Sequence, residues 1–117
     1  MRAVIVEDSK VAFLSLKTQL EKLNVRTVLD AATIEDLEAK LGTTDSPDFA
    51  TMDMALPDGN GVMGCEVIWK KYPNLPIIMV TIDPVSDELK QKLGDRVKDY
   101  IIKPVNEEKI KAALDKL

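Results

Sequence analysis

The sequence predicts an α/β fold, a parallel β-sheet covered by helices on both faces. Three observations carry that prediction. Short runs rich in β-branched and aliphatic residues alternate five times with longer segments of helical apolar spacing. The fourth run, Pro76 to Thr81, is almost entirely apolar, as expected of a strand buried on both faces. Four of the runs carry polar or charged residues at or near their ends, namely Glu7-Asp8, Asp53, Thr81 and Lys103-Pro104. Ligands of open parallel sheets bind outside those carboxyl ends.

Taken in order, Arg2 to Val6 reads as the first strand, and Ser9 caps a helix with an apolar face of Val11, Leu14, Leu16, Leu20 and Leu23. Val25 to Leu29 is the second strand. Thr33, with Asp36 in the place of the Glu or Gln of a capping box, opens a helix to about Leu41, and residues 42–47 form a loop. Asp48 to Met54 is the third strand. The turn signal Leu56-Pro57-Asp58-Gly59-Asn60-Gly61 follows, then a helix from about Val62 to Tyr72 stopped by Pro73. After the fourth strand, Asp83 and Pro84 are the expected start of a fourth helix. Val97 to Ile102 is the fifth strand, and Asn106 caps a last helix reaching Leu117. No linker, repeat or low-complexity segment interrupts the pattern, so residues 1–117 are expected to form a single domain.

Composition narrows the function. Apolar residues at 45% and charged residues at 31% fit a soluble globular chain, and no apolar stretch is long enough to cross a bilayer. The chain runs straight into a strand with no secretory signal, and Cys65 is alone, so a cytoplasmic protein without an internal disulfide is expected. A net charge of −4 with dispersed lysines disfavours nucleic-acid binding by this domain. There is no histidine, which rules out Ser-His-Asp and Cys-His hydrolases and an internal histidine relay and disfavours a typical zinc site. A phosphoryl donor has to come from outside.

If the runs are neighbouring parallel strands, Glu7, Asp8 and Asp53 meet Thr81 and Lys103 at one sheet edge. Carboxylates that close repel strongly, so they need a cation, the lysine, or both. An acid pair ahead of a helix often serves only the helix dipole. Joined to Asp53 it becomes an oxygen-rich set suited to a hard ion such as Mg²⁺. A carboxylate is also a competent nucleophile toward phosphorus, which makes Asp53 the candidate acceptor. Lys103 supplies a point charge and Thr81 a hydroxyl for the phosphoryl oxygens. Proline after Lys103 permits a cis bond that would aim the lysine. Tyr100, three residues earlier, falls on the opposite face of its strand and is placed to report on Thr81.

Together these residues resemble the receiver domain of two-component response regulators, the chemotaxis-regulator-like fold, over essentially the whole chain. The resemblance rests on Glu7-Asp8, Asp53, Pro57, Gly61, Thr81, Tyr100 and Lys103-Pro104 in that order and spacing. It implies a flavodoxin-like, doubly wound sheet of five parallel strands in the order 2-1-3-4-5 with five helices. It implies that Asp53 accepts a phosphoryl group from a phosphohistidine on a histidine kinase or phosphotransfer protein. Mg²⁺ would be held by Asp8, Asp53 and the backbone carbonyl of Ala55, with Glu7 acting through water. Thr81 and Lys103 would bond the phosphoryl oxygens. Thr81 and Tyr100 would then move, reshaping the surface of the fourth helix, fifth strand and fifth helix, where such domains dimerise or meet a downstream target or effector domain. The chain is expected to be a switch rather than a turnover enzyme, either free-standing or the receiver piece of a longer protein.

Three positions depart from the common pattern. Ile82 replaces the small residue that usually follows the threonine, and is expected to modulate access to Asp53. Arg96-Val97 replaces the usual Gly-Ala before the fifth strand, and Val105 stands where an aromatic is common. The competing readings are weaker. A phosphorylation-independent receiver-like scaffold has its best support in Ile82, and the intact acceptor set argues against it. A haloacid-dehalogenase-type phosphatase would need an aspartate where Ala55 stands. A flavodoxin-type electron carrier would need a Ser/Thr-rich phosphate loop, and Glu7-Asp8 would repel a flavin phosphate.

Overall fold

The computed structural model of the protein describes residues 1–43 and 45–117; Thr44, in the expected loop 42–47, lies outside the described residues. Chain order is β1 (Arg2–Val6), α1 (Lys10–Lys22), β2 (Arg26–Ala31), α2 (Ile34–Lys40), β3 (Phe49–Asp53), β4 (Ala55–Leu56), β5 (Gly59–Asn60) and α3 (Gly61–Lys71). It continues with β6 (Ile77–Thr81), α4 (Asp87–Leu93), a 3-10 turn (Gly94–Arg96), β7 (Val97–Ile102) and α5 (Glu107–Leu114). Five parallel strands form one sheet in the order β2-β1-β3-β6-β7, which is 2-1-3-4-5 counting that sheet's strands alone. The small antiparallel pair β4–β5 lies outside it.

The sheet divides the core in two. On one face Ala3, Ile5, Phe49, Ile78 and Ile101 pack against Leu16 and Leu20 of α1 and Ile110 and Ala113 of α5. On the other, Val4, Val6, Ala50, Met52, Ile77 and Met79 pack against α2, α3 and α4. Alternate strand residues therefore serve opposite layers, and each fully buried aliphatic or aromatic side chain contributes roughly 1.5–3 kcal/mol. Cys65 lies in the second layer with its thiol pushed up to about 12, first by burial, and is unreactive there.

Caps agree with the sequence at Ser9, Thr33 and Asn106, whose side-chain oxygens accept from Ala12, Asp36 and Lys109 amides. Elsewhere the structure corrects the expectation. The fourth helix starts at Asp87, capped by Ser86, whose hydroxyl accepts from the Leu89 amide. Asp83 is not its cap; its carbonyl instead accepts from the Thr81 hydroxyl. The acids Asp87 and Glu88 complement the dipole in the first turn. The last helix stops at Leu114, before Leu117. In α1, Val11 is 81% and Leu14 53% exposed, because the buried stripe runs through Phe13, Leu16, Leu20 and Leu23 and leaves those two off the seam. Gly94, at φ +73°, ends α4. Arg96 is committed internally: its guanidinium stacks 3.7 Å from the centroid of the Trp69 ring and donates to the Pro73 carbonyl at 3.0 Å.

Candidate functional site

Alternation along the strands decides which polar side chains meet. Ile5, Phe49 and Ile101 face the α1/α5 layer. Glu7 and Lys103 lie two residues beyond Ile5 and Ile101, and Asp53 lies four beyond Phe49, so all three share that sense. They converge at the carboxyl edge of the sheet. Lys103 Nζ lies 2.7 Å from Glu7 Oε1 and 3.3 Å from Asp53 Oδ2. Its backbone amide is anchored on the Thr81 carbonyl at 2.7 Å, and the Lys103-Pro104 bond is cis.

Carboxylate oxygens of Glu7, Asp8 and Asp53 lie within 4.8 Å of one another, with Glu7 and Asp53 buried and Asp8 exposed. Asp53 is only 4% exposed, so it is not an ordinary surface strand-end acid. Its Oδ1 accepts from the Ala55 amide at 3.1 Å, while Glu7 Oε2 accepts from the Ser9 amide at 3.1 Å. Burial, then the facing Asp53 carboxylate, push the Glu7 carboxyl up to about 7, against the partial relief of Lys103 and Ser9. For Lys103, burial pulls the ammonium down, but the bond and attraction to Glu7 and Asp53 outweigh it and the net direction is up. The donor set is all oxygen, three carboxylates around one point with an open side at Asp8, which suits a hard divalent cation.

Thr81 and Tyr100 carry the opposite sense. Thr81 is buried, with its hydroxyl turned to the Asp83 carbonyl at 3.0 Å rather than to the acids. Tyr100 is half-buried against the α2–α4 layer, with Lys90 Nζ 5.0 Å from its ring centroid. Its hydroxyl is buried without a hydrogen-bond partner among the described residues, and burial raises its pKa. Ile82 is 69% exposed.

The structure gives two residues of the turn after β3 a packing role that the chain alone does not show. Gly61 sits where the first turn of α3 presses on the end of β3; a Cβ there would lie 2.8 Å from the Asp53 carbonyl oxygen and 3.0 Å from Met54 Cα. Asp58, which reads as a turn residue, accepts from the amides of Ile34 and Glu35 in α2. A partner more than 20 residues back leaves no local pattern.

Comparison with known proteins agrees with this geometry. The family model for the response regulator receiver domain matches residues 3–115. Protein CcdB of Bacillus subtilis (strain 168) is 29% identical over 119 residues, spanning 99% of this chain and 96% of that protein. The signal transduction histidine-protein kinase BarA of Escherichia coli (strain K12) is 25% identical over 91% of this chain, which there is 13% of the whole. Among solved structures, a CheY-like response regulator receiver domain protein from Methanospirillum hungatei JF-1 superposes with TM-score 0.79 at 32% identity, covering 98% of this chain and 94% of that one. With the sheet order, the acidic edge and a match over nearly its full length in agreement, this chain belongs to the receiver domains of two-component response regulators.

Proposed function

We propose that the chain is a phosphorylation-controlled switch in which Asp53 is the phospho-acceptor. One observation carries the reading: a nearly buried aspartate faces two further carboxylates and a lysine at the carboxyl edge of a parallel sheet. In the step itself an Asp53 carboxylate oxygen attacks phosphorus, and the bond to the phosphohistidine nitrogen of the donor protein breaks. The electron pair leaves on the imidazole, and an acyl phosphate remains on Asp53. With no histidine in the chain, the donor is a separate kinase or phosphotransfer domain.

Mg²⁺ held by Asp8, Asp53 and the Ala55 carbonyl, with Glu7 through water, would supply charge neutralisation to the phosphoryl oxygens. Lys103, 3.3 Å from Asp53, is placed to exchange that contact for a phosphoryl oxygen. Thr81 would release the Asp83 carbonyl and turn inward to a second oxygen. Its movement vacates space for the Tyr100 ring, whose hydroxyl has no bond to lose. The output is a population shift of the surface formed by α4, β7 and α5, which would control binding of a target, an effector domain or a second copy. Hydrolysis of the acyl phosphate resets the switch, so the chain does not act as a turnover enzyme. Ile82 at the rim would tune approach to Asp53. We read 1–117 as one domain working in the cytoplasm; no described helix is long and apolar enough to cross a membrane.

The deciding experiment is intact mass after incubation with Mg²⁺ and acetyl phosphate, with Asp53→Asn in parallel. One added phosphoryl group, absent in the variant and without Mg²⁺, is the expected result. No adduct and no beryllofluoride complex, in the native chain or in Ile82→Ala, would leave the phosphorylation-independent scaffold.

A further inference from the structure

We propose that Asp58 is a positioning residue for this site: its carboxylate clamps the β4–β5 turn to the first turn of α2 and so holds the Ala55 backbone and Asp53 in register. The inference rests on the reading of Asp53 as a metal-assisted acceptor, but it concerns a residue outside the acidic cluster.

The clamp is two-pronged. Asp58 Oδ1 accepts from Ile34 N at 2.9 Å and Oδ2 from Glu35 N at 3.0 Å. Thr33 takes the next two amides of α2, Asp36 through its hydroxyl and Leu37 through its carbonyl, so the four amides at this helix start are all satisfied only with Asp58 included. The same two bonds, Ile34 first, hold the Asp58 carboxyl below its usual range, so it stays charged where Glu7 titrates.

On its other side the turn leads straight to the acceptor. The β4–β5 pair consists of only Ala55↔Asn60 and Leu56↔Gly59, too little to be stable alone. Its outer end is pressed onto α2 and α3: a Cβ on Gly59 would lie 2.6 Å from Ile34 Cδ1 and 2.8 Å from Met63 Sδ. At its inner end the Ala55 amide donates to Asp53 Oδ1 and the Gly61 amide to the Met54 carbonyl. Asp58 anchors the far end of a strap whose near end fixes one acceptor oxygen and the carbonyl expected at the metal.

The test compares Asp58→Ala, Asp58→Asn and Thr33→Ala with the native chain, well below their melting temperatures. Mg²⁺ affinity is measured by calorimetry, and amide exchange is followed at Ala55 and Gly61. Asp58→Ala should weaken Mg²⁺ by about tenfold, the low end for outer-shell partners of metal ligands, and speed exchange at both amides. Asp58→Asn should recover part of both, since one oxygen still accepts. Thr33→Ala removes a cap from the same helix without touching the strap, so it should lower stability yet leave Mg²⁺ affinity and both amides unchanged. Native Mg²⁺ affinity in Asp58→Ala, or equal weakening in Thr33→Ala, overturns the proposal. If the native chain binds no Mg²⁺ and takes no phosphoryl group, the acceptor reading fails, and exchange at Ala55 alone still decides whether Asp58 is the clamp.

Discussion

Lys103 makes its shortest ionic contact with Glu7, at 2.7 Å, and a longer one with Asp53, at 3.3 Å. The lysine is thus stored mainly on the acid expected to reach the metal through water, leaving Asp53, the proposed acceptor, the less encumbered of the two. Replacing it with Met removes a positive charge from a cation site and leaves Glu7 buried without its partner. Lys103→Met should retain Mg²⁺ binding, with affinity equal to or above native, while the apo protein loses about 1–3 kcal/mol and acyl-phosphate formation slows. Calorimetry, chemical denaturation and a mass time course check the three parts.

Glu7, raised to about 7 from an ordinary 4.5, gives a signed pH dependence. Because the folded state holds this proton more tightly than the unfolded chain, the contribution to stability is full below about pH 4.5 and is lost as pH rises through about 7. A cation at the cluster displaces the proton. Mg²⁺ affinity should therefore climb between pH 6 and pH 8, with proton uptake by the buffer visible in the calorimetric heats. Stabilisation by Mg²⁺ in thermal melts should grow over the same interval. Glu7→Gln should flatten both trends; a pH-independent affinity in the native chain would contradict this assignment.

Thr81 is turned toward the Asp83 carbonyl at 3.0 Å and away from the acids. Losing one such bond costs about 1 kcal/mol, so Thr81→Ala should fold almost normally. It should still gain mass from acetyl phosphate, but beryllofluoride should no longer shift the NMR signals of Tyr100. Thr81→Ser should restore that shift.

Gly61 and Gly94 make a matched pair. Alanine at Gly61 meets the Asp53 carbonyl and Met54 Cα, whereas at Gly94 it meets open space but a backbone φ of +73°. Each substitution should cost roughly 1–3 kcal/mol, the first by overpacking and the second by backbone strain. Only Gly61→Ala should also weaken Mg²⁺ binding, which calorimetry on the two variants separates from lost stability.

Ile82 projects into solvent, so Ile82→Ala should change stability by less than about 0.5 kcal/mol. It should accelerate phosphoryl gain from acetyl phosphate, loss of the label after dilution, or both, followed by intact mass. Unchanged rates would assign the residue to partner contact instead of access.

Much of this was legible in the chain because it is local or periodic. The five apolar runs, the caps Ser9, Thr33 and Asn106, and the polar residues closing four strands each follow from neighbours within a few positions. The fourth-helix start was misread because Asp83-Pro84 has the form of a start, while the hydroxyl that takes the first-turn amide belongs to Ser86. The α1 stripe was misread because Val11 and Leu14 are apolar without being on the seam. What the sequence determined by itself was the type and order of the five main strands and five helices, though not the small β4–β5 pair inside the expected turn, and the identity of the acidic, hydroxyl and lysine groups, since strand alternation and capping are short-range. Only the tertiary structure decided how those groups are shared. Lys103 favours Glu7, Thr81 faces away, Gly61 admits α3 against β3, and Asp58 reaches back to α2. The Lys103–Glu7 and Asp58–α2 contacts join segments far apart in the chain and are set by sheet register and helix packing, whereas Thr81 and Gly61 answer to neighbours two to eight residues away whose placement the fold sets.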